Sequence, residues 1–486
     1  MPLILPGNVG SATAATTYSI ANSCRWNYAD SPAMNKSQTA GNKKTWTYSW
    51  WCKRGEIGGS AEKDWFKVYA SGSKLLHIRF NTNDTLYIEG ETPNSIRLTT
   101  NRVFRDPSAW YHFALIMDTT QGTDTNRMKL FVNGTQETSF ASVTYPTENG
   151  DTAMNDSGAT FYLGTTQSAT EEFDGYMAEV VLLDGTAAAI GDLGEFDEDS
   201  PTIWKPKDPS GLSFGNNGFW LDFEDSSNLG NDQNGGTDFT ESNLAAVDQC
   251  LDTPTNNFCT LNPLDNYWQN ATFSEGNNRV VTQPGTGLTG SYYTYNTGTF
   301  GLTAGKWYFE ARLEVTAGTY DQIGIAGRLP GAQSHDLGKF VDTYSYQGAT
   351  GKSRTNATLS TYGDSYGSNG NIVGVYIDLD NNKLYFGKNG TVQNSGTGIS
   401  VTDPASVLTG VYFPAAGDQY NNASSGSSTW AMNFGATAFG GTAISSGNAD
   451  ANGYGNFEYD PSSGTFDGAS KDFLAICTKN LGSDGG

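Results

Sequence analysis

The chain is broken into short apolar and aromatic runs of strand length, each ended by Gly, Asn, Asp or Pro. TWTYSWWCKR (45–54), DWFKVYA (64–70), KLLHIRF (74–80), DTLYIEG (84–90), SIRLTT (95–100) and WYHFALIM (110–117) follow one another in the first 120 residues. KWYFEARLEV (306–315), QIGIAGR (322–328), NIVGVYIDLD (371–380), GVYFPAA (410–416) and TWAMNFG (429–435) repeat the theme later. Runs of this length between turn-formers cannot build long helices, and they read as antiparallel strands. Two of them close on the same device. In RMKLFVNGT, Met128, Leu130 and Val132 alternate with Lys129 and Phe131 before Asn133-Gly134. In KLYFGKNGT, Leu384 and Phe386 flank Tyr385 before Asn389-Gly390. An Asn-Gly pair supplies the two positive φ angles of a tight hairpin turn. The fold class is all-β.

Composition narrows the function. A net charge of −23, from 51 Asp and Glu against 28 scattered Lys and Arg, excludes a phosphate-backbone binder and disfavours anionic membranes. No apolar run reaches the roughly 20 residues that cross a bilayer, so membrane insertion is not expected. The N-terminal MPLILPG lacks a basic region and does not read as a secretion signal. Five dispersed cysteines (Cys24, Cys52, Cys250, Cys259 and Cys477) form neither a CxxC pattern nor an even set. That argues for assembly in a reducing cytoplasm, without a disulfide framework or a metal site.

Changes in pattern divide the chain. Residues 1–30 read as an N-terminal arm, 31–190 as a first sandwich and 191–254 as an acidic, then Pro-rich, partly extended connector. Residues 255–440 read as a second sandwich and 441–486 as a Gly- and Ser-rich tail whose last apolar piece, KDFLAICTKN, docks on the body. The connector's aromatics, Trp204, Phe214, Phe219 and Trp220, imply that part of it is packed.

WYHFALIMDTT, KLFVNGT, YLGT and FDGYMAEVVLLDGTA, in that order, resemble the laminin-G/concanavalin A-like lectin family. GKWYFEARLEV, IGIAGR, GDSYGSNGNIVGVYIDLDNNKLYFGKNGT, GVYFPAAG and MNFG resemble the SPRY skeleton. Both resemblances imply concanavalin-like sandwiches (jelly rolls) that bind glycans, proteins or peptides through loops, sometimes with calcium in the lectin-like case. With LDTPTNNFCTLNPL between them, the combination resembles virion structural proteins of tailed phages. It implies a non-enzymatic protein on the virion surface, with other virion proteins and a host-surface glycan or protein as partners. A homo-oligomer is expected, a trimer by analogy with phage appendages. The alternative is a decoration or cement protein. A glycan hydrolase ranks below both.

Candidate chemistry is sparse. The E-x-D-x-x-E arrangement of glucanases is only two-thirds present, at Glu172 and Asp174 and at Glu195 and Asp197. The histidines, His77, His112 and His335, have no ligand-spaced neighbour, and no nucleophile elbow occurs. No catalytic residue and no cofactor is called for. Calcium stays open because Asp84, Asp118, Asp124, Asp378 and Asp380 fall at strand ends or turns. Aromatics in Gly-rich segments, among them Tyr292, Tyr293 and Tyr295, suit sugar stacking or protein contact. The ligand-binding candidates are Tyr344, Tyr346, Tyr362, Asp364 and Tyr366, read as loop residues.

Overall fold

The computed structural model describes residues 18–59, 61–72, 74–168, 171–265, 271–282, 293–318, 320–331, 335–419, 427–436 and 438–484. The chain divides into two compact units between Thr255 and Asn256. Both are antiparallel β-sandwiches, as the runs and turns imply.

The first unit opens with β1 (Ser23–Trp26), β2 (Ala33–Ser37), β3 (Thr45–Arg54), β4 (Lys63–Ser71), β5 (Lys74–Phe80) and β6 (Thr85–Gly90). Next come β7 (Ile96–Val103), β8 (Trp110–Asp118), β9 (Met128–Val132), β10 (Thr135–Glu137), β11 (Phe140–Thr144) and β12 (Thr160–Leu163). It closes with β13 (Gly175–Asp184), β14 (Gly194–Phe196), β15 (Trp204–Pro206), β16 (Phe219–Leu221), β17 (Thr240–Ser242) and β18 (Gln249–Cys250). One sheet runs β10-β9-β8-β3-β13-β1-β18, with β16 also on β13, and the other runs β11-β7-β6-β5-β4-β12-β2-β17. Tyr48 and Trp50, alternate residues of β3, meet Phe66 and Trp65 of β4 at ring distances of 4.2 and 5.7 Å, and a register shift between Asp64 and Phe66 lets both of those neighbours enter the core.

Two expected boundaries are corrected here. Residues 191–254 are not a connector. Their β16 pairs with β13, β17 with β2 and β18 with β1, and Phe219, Leu221, Phe223, Leu229 and Phe239 lie in the core. Nor does an arm extend to residue 30, because β1 sits between β13 and β18. Residues 1–17 lie outside the described residues.

The second unit contains β19 (Thr272–Ser274), β20 (Arg279–Val281), β21 (Tyr293–Thr297), β22 (Lys306–Val315) and β23 (Asp321–Ala326). Then follow β24 (Thr343–Gln347), β25 (Lys352–Thr355), β26 (Thr358–Thr361), β27 (Ile372–Asp378) and β28 (Lys383–Lys388). The last five are β29 (Thr391–Val392), β30 (Ile399–Ser400), β31 (Phe413–Gln419), β32 (Thr429–Asn433) and β33 (Leu474–Ala475). Its sheets run β19-β20-β32-β22-β27-β28-β29 and β21-β31-β23-β24-β25-β26. The tail is folded in: β33 adds in parallel to β22, and Phe457, Phe466 and Phe473 cover Tyr308, Tyr376 and Tyr385 on the sheet's outer side.

Both Asn-Gly turns form as the sequence predicts. Asn133 and Gly134 have φ of 47° and 73°, and Asn389 and Gly390 have 45° and 78°. A second reason fixes each glycine: a Cβ there would come within 2.1 Å of Trp204 at Gly134, and within 2.6 Å of Tyr459 at Gly390.

Candidate functional site

The two outer faces of the first unit differ. On the β3-β8-β13 side, Trp51, Trp110, Tyr176 and Ala178 are roofed by Ile20 and Trp204, and Val181 and Leu183 by Ala188 and Phe214. The opposite sheet is covered at its β4 end, where Glu171 and Glu172 run beside Asp64, and is more open toward β7 and β11, where Arg97 and Thr144 are exposed. Its outward positions are polar, and register joins them into rows. Asn35, Tyr162, Lys67, His77, Glu89, Arg97 and Thr144 are successive cross-strand partners on β2, β12, β4, β5, β6, β7 and β11. At ~4.8 Å per strand that row spans roughly 29 Å. A second row sets Asp64, Arg79, Tyr87 and Thr99 side by side.

Tyr87 is the centre of this face. The guanidinium of Arg79 lies 4.7 Å from its ring centroid and that of Arg97 6.0 Å away. Arg97 also donates to Glu89 at 2.7 Å, and Arg79 pairs with Glu62 at 2.5 Å. The β4–β5 end is recessed, with Asp64, His77 and Lys67 buried. Burial, and then the Glu171 carboxyl hydrogen-bonded to it, raise Asp64 well above the carboxylate range. Burial, and then Lys67 and Arg79, push His77 down to about 3. His77 Nε2 lies in contact with the Asp64 carboxyl. Together the face offers a π surface, rigid N–H donors and carboxylate acceptors, which is the mixture that polyhydroxylated ligands need.

The tyrosines expected to bind ligand lie elsewhere and do other work. Tyr344 and Tyr346 sit on β24, and Tyr346 and Tyr366 are 0% exposed, with Tyr344 at 4% and Tyr362 at 5%. All four belong to the second core. Their hydroxyls are spent on the backbone: Tyr344 donates to Val341 O at 2.7 Å, Tyr346 to Asp364 O, and Tyr366 to Tyr346 O at 2.6 Å, while Tyr362 accepts from Phe386 N at 3.0 Å. Buried rings cannot stack on a ligand, so the ligand-binding reading of these tyrosines is corrected; Tyr362 and Tyr366 do lie outside strands, between β26 and β27, whereas Tyr344 and Tyr346 do not. Asp364 alone is exposed. Tyr295 is buried as well, Tyr292 lies outside the described residues, and Tyr293 is placed only as part of β21.

No catalytic pairing emerges from the other candidates. Ser49 and His112 look like a nucleophile and base, with Ser49 Oγ 2.8 Å from His112 Nε2. Trp204 Nε1, however, donates to His112 Nδ1 at 3.0 Å. Nδ1 is thus the acceptor, Nε2 carries the proton, and the ring donates to Ser49 instead of activating it. Asp174 accepts from Tyr28 N at 3.2 Å, and Phe173, between Asp174 and Glu172, packs on Trp65. Asp197 caps the turn at Asp199 and Ser200, and Glu195 pairs with Lys207. The aspartates considered for calcium do not converge. Asp84 binds Arg54 and Arg105, Asp378 binds Lys471 and Asn381, Asp380 binds Lys306, Asp118 caps Thr120, and Asp124 accepts from Thr125 N. Among the described residues no cluster of three His, Cys, Asp or Glu could hold a metal ion.

Comparison with known proteins agrees with this architecture. Residues 27–189 match the concanavalin A-like lectin/glucanase superfamily, and residues 306–427 match the SPRY domain. The chain thus carries a concanavalin A-like domain and a SPRY domain. Solved structures similar to it include a candidate carbohydrate-binding protein from Bacteroides ovatus (17% identity, 47% of this chain and 60% of that one, TM-score 0.34). Others are the SPRY domain of human HERC1 (18%, 35% and 96%, TM-score 0.27) and a SAP-like pentraxin from Limulus polyphemus (15%, 36% and 81%, TM-score 0.25). The Bacteroides match thus spans less than two thirds of that protein. No curated protein matches the chain.

Proposed function

We propose that the protein is a non-enzymatic glycan-binding protein whose ligand lies across the open sheet face of the first sandwich. The carrying observation is Tyr87, held between Arg79 and Arg97 on the more open part of this sheet's outer side. With its faces met by the two guanidiniums, the ring offers a sugar its edge and hydroxyl, and the sugar's hydroxyls pair with the guanidinium and carboxylate groups on either side. Such a surface is shallow, so useful avidity would come from many copies. The sequence resemblance of the two-domain combination to phage virion proteins supports the matching setting: a homo-oligomer, a trimer in the appendage case, displayed on a virion and touching a host-surface glycan.

A glycan array with the full chain tests the ligand. Tyr87→Ala is expected to lose about tenfold in affinity, the worth of one ring contact of about 1.4 kcal/mol, while Asp364→Ala stays at wild type. The reverse result would move the site to the second sandwich. Cleavage of the bound glycan, abolished by Asp64→Asn, would overturn the non-enzymatic reading. Antibody labelling of purified particles tests the setting: label at an appendage tip fits host recognition, even label over the capsid fits decoration, and none sinks the virion reading.

A further inference from the structure

At one end of the second sandwich two carboxyls face each other across adjacent strands. Asp321 begins β23, Asp418 lies near the end of β31, and they are direct register partners. Asp321 is 0% exposed and Asp418 1%. No lysine, arginine or histidine pairs with either among the described residues; the titratable group packed beside them is Tyr366, whose hydroxyl lies 3.2 Å from the Asp321 carbonyl. A buried pair with no counter-charge must take up a proton or a cation.

The hydrogen bonds say which carboxyl holds it. Asp321 is served as an anion: Ser428 Oγ donates at 2.6 Å, Ala317 N at 2.8 Å and Thr316 Oγ1 at 2.5 Å. Asp418 is not. Its Oδ1 has no partner among the described residues, and its Oδ2 meets the Thr282 hydroxyl and, at 3.3 Å, Ser428 N. The same Thr282 hydroxyl lies 3.0 Å from the Ser428 carbonyl. One hydroxyl has one proton. If Asp418 were ionised, Thr282 would donate to it and leave two oxygens facing each other with nothing between, beside a buried charged oxygen without a donor. If Asp418 is protonated on Oδ2, it donates to Thr282, Thr282 donates to Ser428 O, and the oxygen left without a donor, Oδ1, is a neutral carbonyl instead of a charge.

We propose that Asp418 is a neutral carboxylic acid whose proton completes a clasp tying the ends of β20, β31 and β32 to the β22–β23 turn, and that losing this proton opens that end of the sandwich. Burial pushes Asp418 up to about 7, and the neighbouring Asp321 charge acts in the same direction. The sign follows. An unfolded aspartate titrates near its ordinary value of about 3.9, so between there and about 7 the folded chain holds one proton more. The stabilisation is full below the unfolded value and is lost as pH rises through about 7. Nothing in this depends on the glycan reading.

The test compares the full wild-type chain with Asp418→Asn, which keeps a neutral side chain at every pH. The melting temperature of the variant relative to wild type should rise by roughly 5 °C between pH 5 and pH 8, because most of the wild-type loss falls in that interval. In the wild type, amide exchange at Ala317 and Ser428 should rise about tenfold more between pH 5 and 8 than base catalysis alone accounts for. That measurement stands even if the variant folds poorly. A melting difference equal at both pH values, or no excess exchange, overturns the proposal. So does calcium or sodium stabilising the wild type at pH 8 but not Asp418→Asn, because the charge would then be met by a metal ion.

Discussion

Phe219→Ala tests whether the stretch after residue 190 is part of the first fold. Phe219 is fully buried on β16, with Phe161 edge-on at 5.6 Å and Phe239 edge-on at 4.8 Å. Truncating a buried phenylalanine costs about 3–5 kcal/mol, through lost transfer energy and the cavity left behind. A unit of this kind has only about 5–15 kcal/mol in hand. With a urea slope near 3 kcal/mol per M, the loss would lower the unfolding midpoint by about 1–1.7 M. Tryptophan fluorescence during urea titration of the full chain reads the transition, since Trp46, Trp50 and Trp65 lie in the same core. Phe196→Ala is the control. That ring is 41% exposed with one edge contact to Trp204, and its removal should cost less than about 1.5 kcal/mol. A surface connector tolerates alanine within about 0.5 kcal/mol. A Phe219→Ala loss below about 1 kcal/mol would therefore refute the inclusion of this segment in the core.

The other expectations are smaller in scale. Tyr366→Phe removes the hydroxyl that donates to Tyr346 O and should cost about 1–1.5 kcal/mol in the second unit's melting. Its glycan binding should not change; a loss of affinity would return the second sandwich's tyrosines to the ligand site. Glu310→Ala leaves the buried amides of Glu458 and Tyr459 without their acceptor, at about 2–4 kcal/mol. Limited proteolysis should then cut within residues 441–470 much faster than in the wild type, and an unchanged rate would show that the Phe457, Phe466 and Phe473 contacts suffice to hold the tail.

Strand identity was legible because period and punctuation coincide. TWTYSWWCKR and KWYFEARLEV are β3 and β22 to the residue, and KLLHIRF is β5. What failed was reading through polar sequence. β16 and β17 are three residues each, set among Asp, Asn and Gly, and no periodicity survives at that length. Their place is fixed from outside, by the edges that β2 and β13 offer and by the room between Phe161 and Phe239. The tyrosines failed for the opposite reason. TYSYQ alternates like any strand, but the glycines around it (Gly338, Gly348, Gly351) carry the signature of loops. Here they serve close packing: a Cβ at Gly351 would lie 2.2 Å from Gly363 O.

The open face shows how far a sequence can carry a binding site and where it stops. Period two already separates His77 and Arg79 from Leu76 and Ile78, Tyr87 and Glu89 from Leu86 and Ile88, and Arg97 from Ile96 and Leu98. Each strand thus announces an outward set, and those sets are richer in charge than solvation requires. Two facts remain invisible in one dimension. Register decides that Tyr87 falls beside Arg79 rather than one strand-width away, since a slip of one residue would turn the ring into the core. Coverage decides which face stays free, and that depends on Ile20, Trp204 and Phe214 returning from distant parts of the chain to close the other side. Residues 191–254 therefore distinguish the two sides of the sandwich: Trp204 and Phe214 occupy one, and the proposed ligand surface is on the other.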